Sequence, residues 1–126
     1  MSKNIIFTPN APEPIGPYSQ AVLTGDLLFI SGQIPLVPGS GELASGGIAR
    51  ETAQVMKNLE AILTEAGMQF SNVVKTTIFL SDMSLFGEVN NVYEKFFTAD
   101  YPARETVAVK GLPKNVNVEI SMIASK

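Results

Sequence analysis

The stretch VVKTTIFL, residues 73–80, decides how the rest of the chain is arranged. Most of its residues are β-branched or aromatic, and such side chains suit the pleated, half-buried surface of a sheet. The run therefore predicts a central strand. The segments before and after it carry a different periodicity, that of amphipathic helices.

Two helices are predicted, one before this strand and one after it in the sequence. The first spans about Ile48 to Ala66, where apolar residues recur at helical spacing and Gly67 supplies a stop. The second is expected to start near Asp82 or Ser84, whose side chains suit a helix N-terminus, and to end before Tyr101. Its apolar stripe consists of Leu85, Val89, Val92 and Phe96. Aromatic residues on both helices are interpreted as core filling.

Further strands are predicted on both sides of this helix–strand–helix unit. Residues 21–23 and 27–30 form a hairpin, because Gly25-Asp26 suits a two-residue turn that needs positive φ first. Residues 104–109 and 116–124 complete the sheet, while residues 35–47 form a surface loop. The proline-rich residues 8–17 are expected to be an extended lead-in. The result is one α+β domain over residues 1–126, with both helices on one face of a sheet.

Composition excludes several classes of function. The formal net charge is -3 and no Lys or Arg run exists, so nucleic acid is not an expected partner. The chain has no cysteine and no histidine, which removes thiolate nucleophiles, the commonest general base and the commonest metal ligands. Any catalysis must therefore use other polar side chains or the backbone; neither a metal nor a cofactor is expected. No segment approaches membrane-spanning length and the first apolar patch is too short for a signal peptide, so a cytoplasmic protein is expected.

The last two strands place polar residues on one side. Val116, Val118, Ile120 and Met122 alternate with Asn117, Glu119 and Ser121. If the apolar rows meet the helices, then Arg104, Thr106 and Glu119 share the uncovered face. That face is either solvated or covered by a neighbouring subunit.

Arg104 and Glu119, expected on adjacent strands, could carry chemistry without histidine. Arg104 can bind a carboxylate through two parallel hydrogen bonds, and Glu119 can orient or deprotonate a water. The same pair could equally be a structural ion pair. Tyr18, beside Pro17, is either an aromatic lid with a hydroxyl or an ordinary packing residue.

A set of short motifs, in order along nearly the whole chain, resembles the Rid family of reactive-intermediate deaminases, of the RidA type. The motifs are Pro17-Tyr18-Ser19-Gln20-Ala21-Val22, Ser31-Gly32-Gln33-Ile34-Pro35, Met56-Lys57-Asn58-Leu59, Ala66-Gly67, Asp82-Met83 with Phe86, Asn90 and Tyr93, Pro102-Ala103-Arg104, Leu112-Pro113 and Val118-Glu119-Ile120. The resemblance implies a chorismate-mutase-like fold, with a mixed six-stranded sheet and two helices on one face. It also implies a homotrimer with sites between subunits.

The implied activity is hydrolysis of 2-iminopropanoate and 2-iminobutanoate, formed from enamines such as 2-aminoacrylate, to 2-keto acids and ammonia. By resemblance, Arg104 holds the substrate carboxylate with help from the Thr106 backbone, Glu119 positions the attacking water, and Tyr18 closes the pocket. Ser31, Gly32 and Asn90 line it. Glu105 replaces a residue that is small in many relatives, and Thr106 stands where a cysteine is frequent. Strand alternation directs Glu105 away from Arg104.

Two other functions stay open on sequence grounds. A non-catalytic trimeric module could bind small carboxylates through Arg104 and regulate a partner, although Glu119 favours the enzyme. RNA cleavage is associated with the family, but the acidic balance and the missing histidine argue against it. Chorismate mutase activity would rest on fold analogy alone.

Overall fold

The computed structural model describes residues 2–126, which form a six-stranded sheet with two α-helices on one face. The strands are β1 (Asn4–Ile6), β2 (Ala21–Thr24), β3 (Leu27–Gln33), β4 (Val73–Leu80), β5 (Ala103–Ala108) and β6 (Val118–Ser125). The helices are α1 (Ile48–Glu65) and α2 (Phe86–Tyr93). The α+β class with two helices and a mixed sheet is confirmed.

The sheet has the strand order β1-β2-β3-β6-β4-β5, in which β4 and β5 are parallel and all other pairs are antiparallel. Strand β4, which is the VVKTTIFL stretch, is hydrogen-bonded on both sides, as predicted. Strand β1 lies in the first apolar patch, before the proline-rich lead-in. It pairs with β2 and provides the sixth strand.

The local signals in the sequence act where they were predicted. Gly25 has φ 57° in the turn between β2 and β3, and Gly67 has φ 73° just after α1. Both angles lie in the left-handed region that glycine adopts without strain. Asp82 accepts a hydrogen bond from the Ser84 amide at 2.8 Å and so caps a 3₁₀ turn, Met83–Leu85, that leads directly into α2.

The core lies between the sheet and the two helices. The alternating row on β6 is almost inaccessible to solvent, and it packs with the apolar stripe of α1. These residues are Val118, Ile120, Met122 and Ala124 on β6 and Val55, Leu59, Ile62 and Leu63 on α1. Burying each of the larger side chains stabilises the fold by roughly 1.5–3 kcal/mol. No helix of residues 2–126 is long and apolar enough to cross a membrane.

The expectation that β5 and β6 are adjacent is wrong. Strand β4 lies between them, parallel to β5 and antiparallel to β6. Consecutive strands are neighbours in most sheets, but residues 109–117 here carry the chain past β4 instead of turning it back. Arg104 and Glu119 are therefore separated by a whole strand.

The expectation that Arg104, Thr106 and Glu119 share the uncovered face is also wrong. Arg104 pairs with Thr76 and Thr106 with Ile78, and both β4 partners are fully buried on the helix face. Glu119 pairs with Phe79 on the opposite, open face. Strand β5 lies at the edge of the sheet, and neither of its faces is fully covered. The apolar residues of β5 therefore do not show which face points to the helices. Val107 is 46% exposed on the open side.

Candidate functional site

The first group of predicted site residues surrounds the guanidinium of Arg104. Its Cζ lies 5.0 Å from the centre of the Tyr93 ring and 5.6 Å from that of Phe86. Both rings belong to α2. Arg104 lines a cavity of about 350 Å³ together with Asn90, Tyr93, Glu94, Tyr101 and Pro102. Aromatic rings attract a cation and bury its carbon stem without using its N–H donors.

No carboxylate within residues 2–126 forms an ion pair with Arg104. The salt bridge in this region joins Lys75 Nζ to Glu105 Oε1 at 3.0 Å, on the open face. Glu105 therefore points away from Arg104, as strand alternation predicted. Thr106 lies two residues beyond Arg104 on the helix face, and its Oγ1 is buried without a hydrogen-bond partner in the described chain. The first group thus holds hydrogen-bond donors, on Arg104 and Thr106, that have no partner within residues 2–126.

The second group is built on a β-bulge in β3. Ser31 and Gly32 together stand opposite the single residue Ser121 of β6, because the pairing shifts between Ile30 and Gln33. A Cβ added to Gly32 would lie 2.3 Å from Glu119 Oε2. The Glu119 carboxyl group therefore lies directly over the glycine, in space that any other residue would occupy. Partial burial raises the pKa of Glu119 above the usual value for a glutamate.

Tyr18 is held near Gly32 by backbone contacts. Ser31 Oγ donates to the Ser19 carbonyl at 2.6 Å, and the Ser31 amide donates to the Gln20 carbonyl at 2.9 Å. Tyr18 Oη accepts from the Ile15 amide at 3.1 Å, and the side chain is 47% exposed. Tyr18 and Gly32 line a common cavity of about 20 Å³. The Ser31 hydroxyl proton is thus used to hold the chain segment that carries Tyr18.

The two groups do not meet within one chain. The structure brings Arg104 together with Asn90 and Thr106, and it brings Glu119 together with Gly32, next to Ser31 and Tyr18. Between Arg104 and Glu119 lie two strand spacings, roughly 10 Å, and three residues along the strands, again roughly 10 Å. The side chains also point to opposite faces. The predicted site residues therefore form two separate groups within a single chain.

Three polar or aromatic residues that contact or support these two groups were not predicted from the sequence as site residues. Phe86 and Tyr93 were interpreted as core filling, although their spacing of seven residues puts both on one side of α2, where they meet Arg104. Gln20 is buried, and its side chain bonds the Thr8 amide at 2.7 Å and the Pro12 carbonyl at 2.9 Å. It fastens the proline-rich lead-in against the Tyr18 segment. The position of a glutamine directly before the apolar residues 21–23 was the available signal.

In the part of the chain that the structure describes, no three acidic side chains cluster in a way that could hold a metal ion. Arg104 and the Thr106 hydroxyl supply donors, and Glu119 supplies an acceptor that can take up a proton. This inventory suits a small anionic substrate and a water molecule.

Comparison with known proteins gives a consistent result. A family model described as Endoribonuclease L-PSP matches residues 8–126. The human 2-iminobutanoate/2-iminopropanoate deaminase is 48% identical over 122 residues, which are 97% of this chain and 89% of the human protein. These matches extend over both groups of residues.

Two solved structures have nearly the same fold. YyfA of Yersinia pestis, a protein of unknown function of the Rid family, has a TM-score of 0.96 and 44% identity, covering 99% of this chain and 100% of its own. TdcF of Escherichia coli, solved with bound serine, has a TM-score of 0.94 and 40% identity, covering 98% of this chain and 99% of its own.

Proposed function

The chain belongs to the Endoribonuclease L-PSP family, which includes the Rid proteins, and from that premise we propose that it hydrolyses small 2-imino acids to 2-keto acids and ammonia. The expected substrates are 2-iminopropanoate and 2-iminobutanoate. The observation that carries the proposal is the pair of separate groups, which we interpret as half-sites: a guanidinium with no ion pair in residues 2–126 and a carboxyl of raised pKa. The 48% identity to the human deaminase supports the same substrates.

The complete site requires two subunits. We place Arg104, Asn90 and the Thr106 backbone of one subunit opposite Glu119, Gly32, Ser31 and Tyr18 of its neighbour, in a homotrimer. The separation of the half-sites within one chain supports this arrangement. The open face of the sheet also carries exposed apolar side chains, which favours its burial against a neighbouring subunit. These are Leu27, Phe29 and Val107.

In the proposed reaction, Arg104 binds the substrate carboxylate through two parallel hydrogen bonds and fixes the imine carbon. Glu119 accepts a proton from a water molecule as the water oxygen attacks the carbon of the protonated C=N group. The C–O bond forms, and the π electrons move to nitrogen. Glu119 then returns the proton to nitrogen, the C–N bond breaks, and ammonia leaves. The departing ammonia takes up the hydroxyl proton, which leaves the keto acid and ammonium.

The raised pKa of Glu119 suits this role. A carboxylate of ordinary pKa is a weak base at neutral pH, and partial burial makes it a stronger one. We assign to Tyr18 the closing of the pocket over bound substrate, a role supported by the Ser31 hydrogen bond that ties its segment to the bulge. None of these steps needs histidine or a metal ion.

The family's name refers to RNA cleavage, but the chain offers little support for that chemistry. Its net charge is -3, the cavity beside Arg104 is lined by one basic side chain, and the cavity beside Gly32 is lined by none. RNA binding relies on several backbone contacts from basic side chains. We therefore favour the imino acid.

The test is a subunit-mixing experiment. A dehydratase supplies 2-aminoacrylate, and keto-acid formation is measured with wild type, Arg104→Ala, Glu119→Gln and the two variants co-expressed. Each variant alone is expected to stay near the spontaneous rate. Random mixing should restore about one quarter of the sites, since a site needs an intact Arg104 and an intact Glu119 from different chains. The matched control is Arg104→Ala co-expressed with the double variant, which restores no site.

The outcomes separate the alternatives. Activity of wild type without recovery on mixing would contradict the shared site. A wild type that binds a keto acid through Arg104 but leaves the spontaneous rate unchanged would refute the enzyme. It would favour the regulatory carboxylate-binding module.

A further inference from the structure

We infer that Tyr93 is a positioning residue that fixes the direction in which the Arg104 guanidinium presents its donors. This role rests on the proposed binding of the substrate carboxylate by Arg104. Arginine has a long side chain, and binding a carboxylate through two bonds demands one orientation of its plane. A free arginine would lose much of its rotational freedom on binding.

The Tyr93 ring is in contact with the cation and is itself held firmly. It lies 5.0 Å from Arg104 Cζ, it is 4% exposed, and it packs at 4.8 Å from the Phe97 ring. Its hydroxyl donates to Thr76 Oγ1 at 2.9 Å. Thr76 is fully buried in β4 and stands directly beside Arg104 in the β4–β5 register.

The ring is thus attached at its tip to the strand next to Arg104 and at its base to α2. This arrangement fixes the distance between helix and edge strand at the point where the guanidinium lies. The Phe86 ring, 5.6 Å from Cζ, provides a second aromatic contact from the same helix. Contact through ring faces leaves the N–H groups free to bind an anion.

Tyr93 is suited to positioning and not to proton transfer. Burial raises the pKa of its phenol, although the Thr76 hydrogen bond and Arg104 act in the opposite direction. The phenol therefore stays protonated near neutral pH and keeps donating to Thr76. Its effect on the reaction passes through Arg104.

The experiment compares KM and kcat for three changes. Tyr93→Leu removes the ring and is expected to raise KM roughly 5- to 30-fold with kcat nearly constant, since the carboxylate is held equally in ground and transition states. Tyr93→Phe leaves the Thr76 hydroxyl unpaired, so it should raise KM by a smaller factor. Adding Thr76→Val removes the orphaned group and should recover stability but not KM, because the hydrogen bond that holds the ring tip is still missing.

Phe70→Leu is the matched control for lost aromatic packing. Phe70 is buried in the same cluster, with its ring 5.4 Å from that of Phe97, but it is not one of the two rings that lie against the Arg104 guanidinium in residues 2–126. Its substitution should lower the unfolding temperature without changing KM. A double-mutant cycle with Arg104→Lys tests whether Tyr93 acts through the orientation of the guanidinium, because the lysine ammonium is not planar and cannot bind a carboxylate through two parallel hydrogen bonds. The effect of Tyr93→Leu on KM should shrink at least threefold in that background.

The two proposals fail in different ways. No turnover by wild type would refute the deaminase. If wild type is active and Arg104→Lys raises KM, but Tyr93→Leu leaves KM unchanged or acts equally in the Arg104→Lys background, the positioning role is overturned. A KM increase in Phe70→Leu as large as in Tyr93→Leu would also overturn it, since general loosening would then explain both.

Discussion

Replacing Gly32 by alanine tests whether the position of the Glu119 carboxyl matters for turnover. The new Cβ would lie 2.3 Å from Oε2, 2.7 Å from Cδ and 3.0 Å from Cγ of Glu119. An ordinary contact needs about 3.4 Å, so the carboxyl group must move by about 1 Å. A displacement of this size in a catalytic group costs on the order of 100-fold in rate.

The same change should hardly affect folding. The groups that the Cβ meets are the end of a flexible side chain, and Gly32 does not have a left-handed φ. Alanine also restricts the unfolded chain, which stabilises a protein by about 0.4–1 kcal/mol where the backbone allows it. The expected result of Gly32→Ala is a free energy of unfolding within about 1 kcal/mol of wild type and a kcat lower by about two orders of magnitude.

The assay is keto-acid formation from dehydratase-generated 2-aminoacrylate, with urea unfolding measured on the same samples. Glu119→Ala supplies the matched background, because it removes the atoms that the new Cβ would meet. There Gly32→Ala should change the residual rate less than about threefold. A Gly32→Ala protein with wild-type kcat would refute the reasoning. So would an equal loss of rate in both backgrounds.

Three further predictions concern the rest of the chain. Because burial raises the pKa of Glu119, the folded protein binds more protons than the unfolded chain at pH values between the ordinary and the raised pKa. Wild type therefore loses stability as pH rises through that interval, and Glu119→Gln should become more stable relative to it. Urea unfolding at several pH values measures this difference. Glu105→Gln should change KM less than twofold and stability by under about 1 kcal/mol, since Glu105 pairs with Lys75 on the face opposite Arg104; a large fall in KM would show that its charge reaches the site. Asn58→Ala should lower the free energy of unfolding by roughly 2–4 kcal/mol, because the buried Asn58 amide donates to two backbone carbonyls in the loop that follows β3. An Asn58→Ala protein that unfolds at the wild-type temperature would contradict this.

The secondary structure was largely predictable because its signals are local. A β-branched run gave β4, helical spacing ending at Gly67 gave α1, and Gly25-Asp26 gave the hairpin turn. The resemblance predicted the mixed sheet of six strands with two helices. Strand β1 was the exception, since three residues carry too little pattern for a strand.

The candidate site was predicted as a set of residues but not as an arrangement. Strand alternation put Arg104 and Glu119 on one face of adjacent strands, and the resemblance then assigned a role to each. That rule works where one face is fully buried, as on β6, and it failed on the edge strand β5. Positions that face a helix are usually apolar, but Arg104 faces α2 and packs there against the rings of Phe86 and Tyr93.

What the sequence determined by itself was the set of elements and their chemistry, because propensity, capping and turn geometry depend on neighbours along the chain. Only the tertiary structure decided that β4 separates β5 from β6, that Arg104 faces α2, and that Glu119 lies over Gly32 on the open face. Strand order and facing follow from contacts between residues far apart in sequence. Such contacts are chosen by how the whole core packs, and no local pattern encodes them.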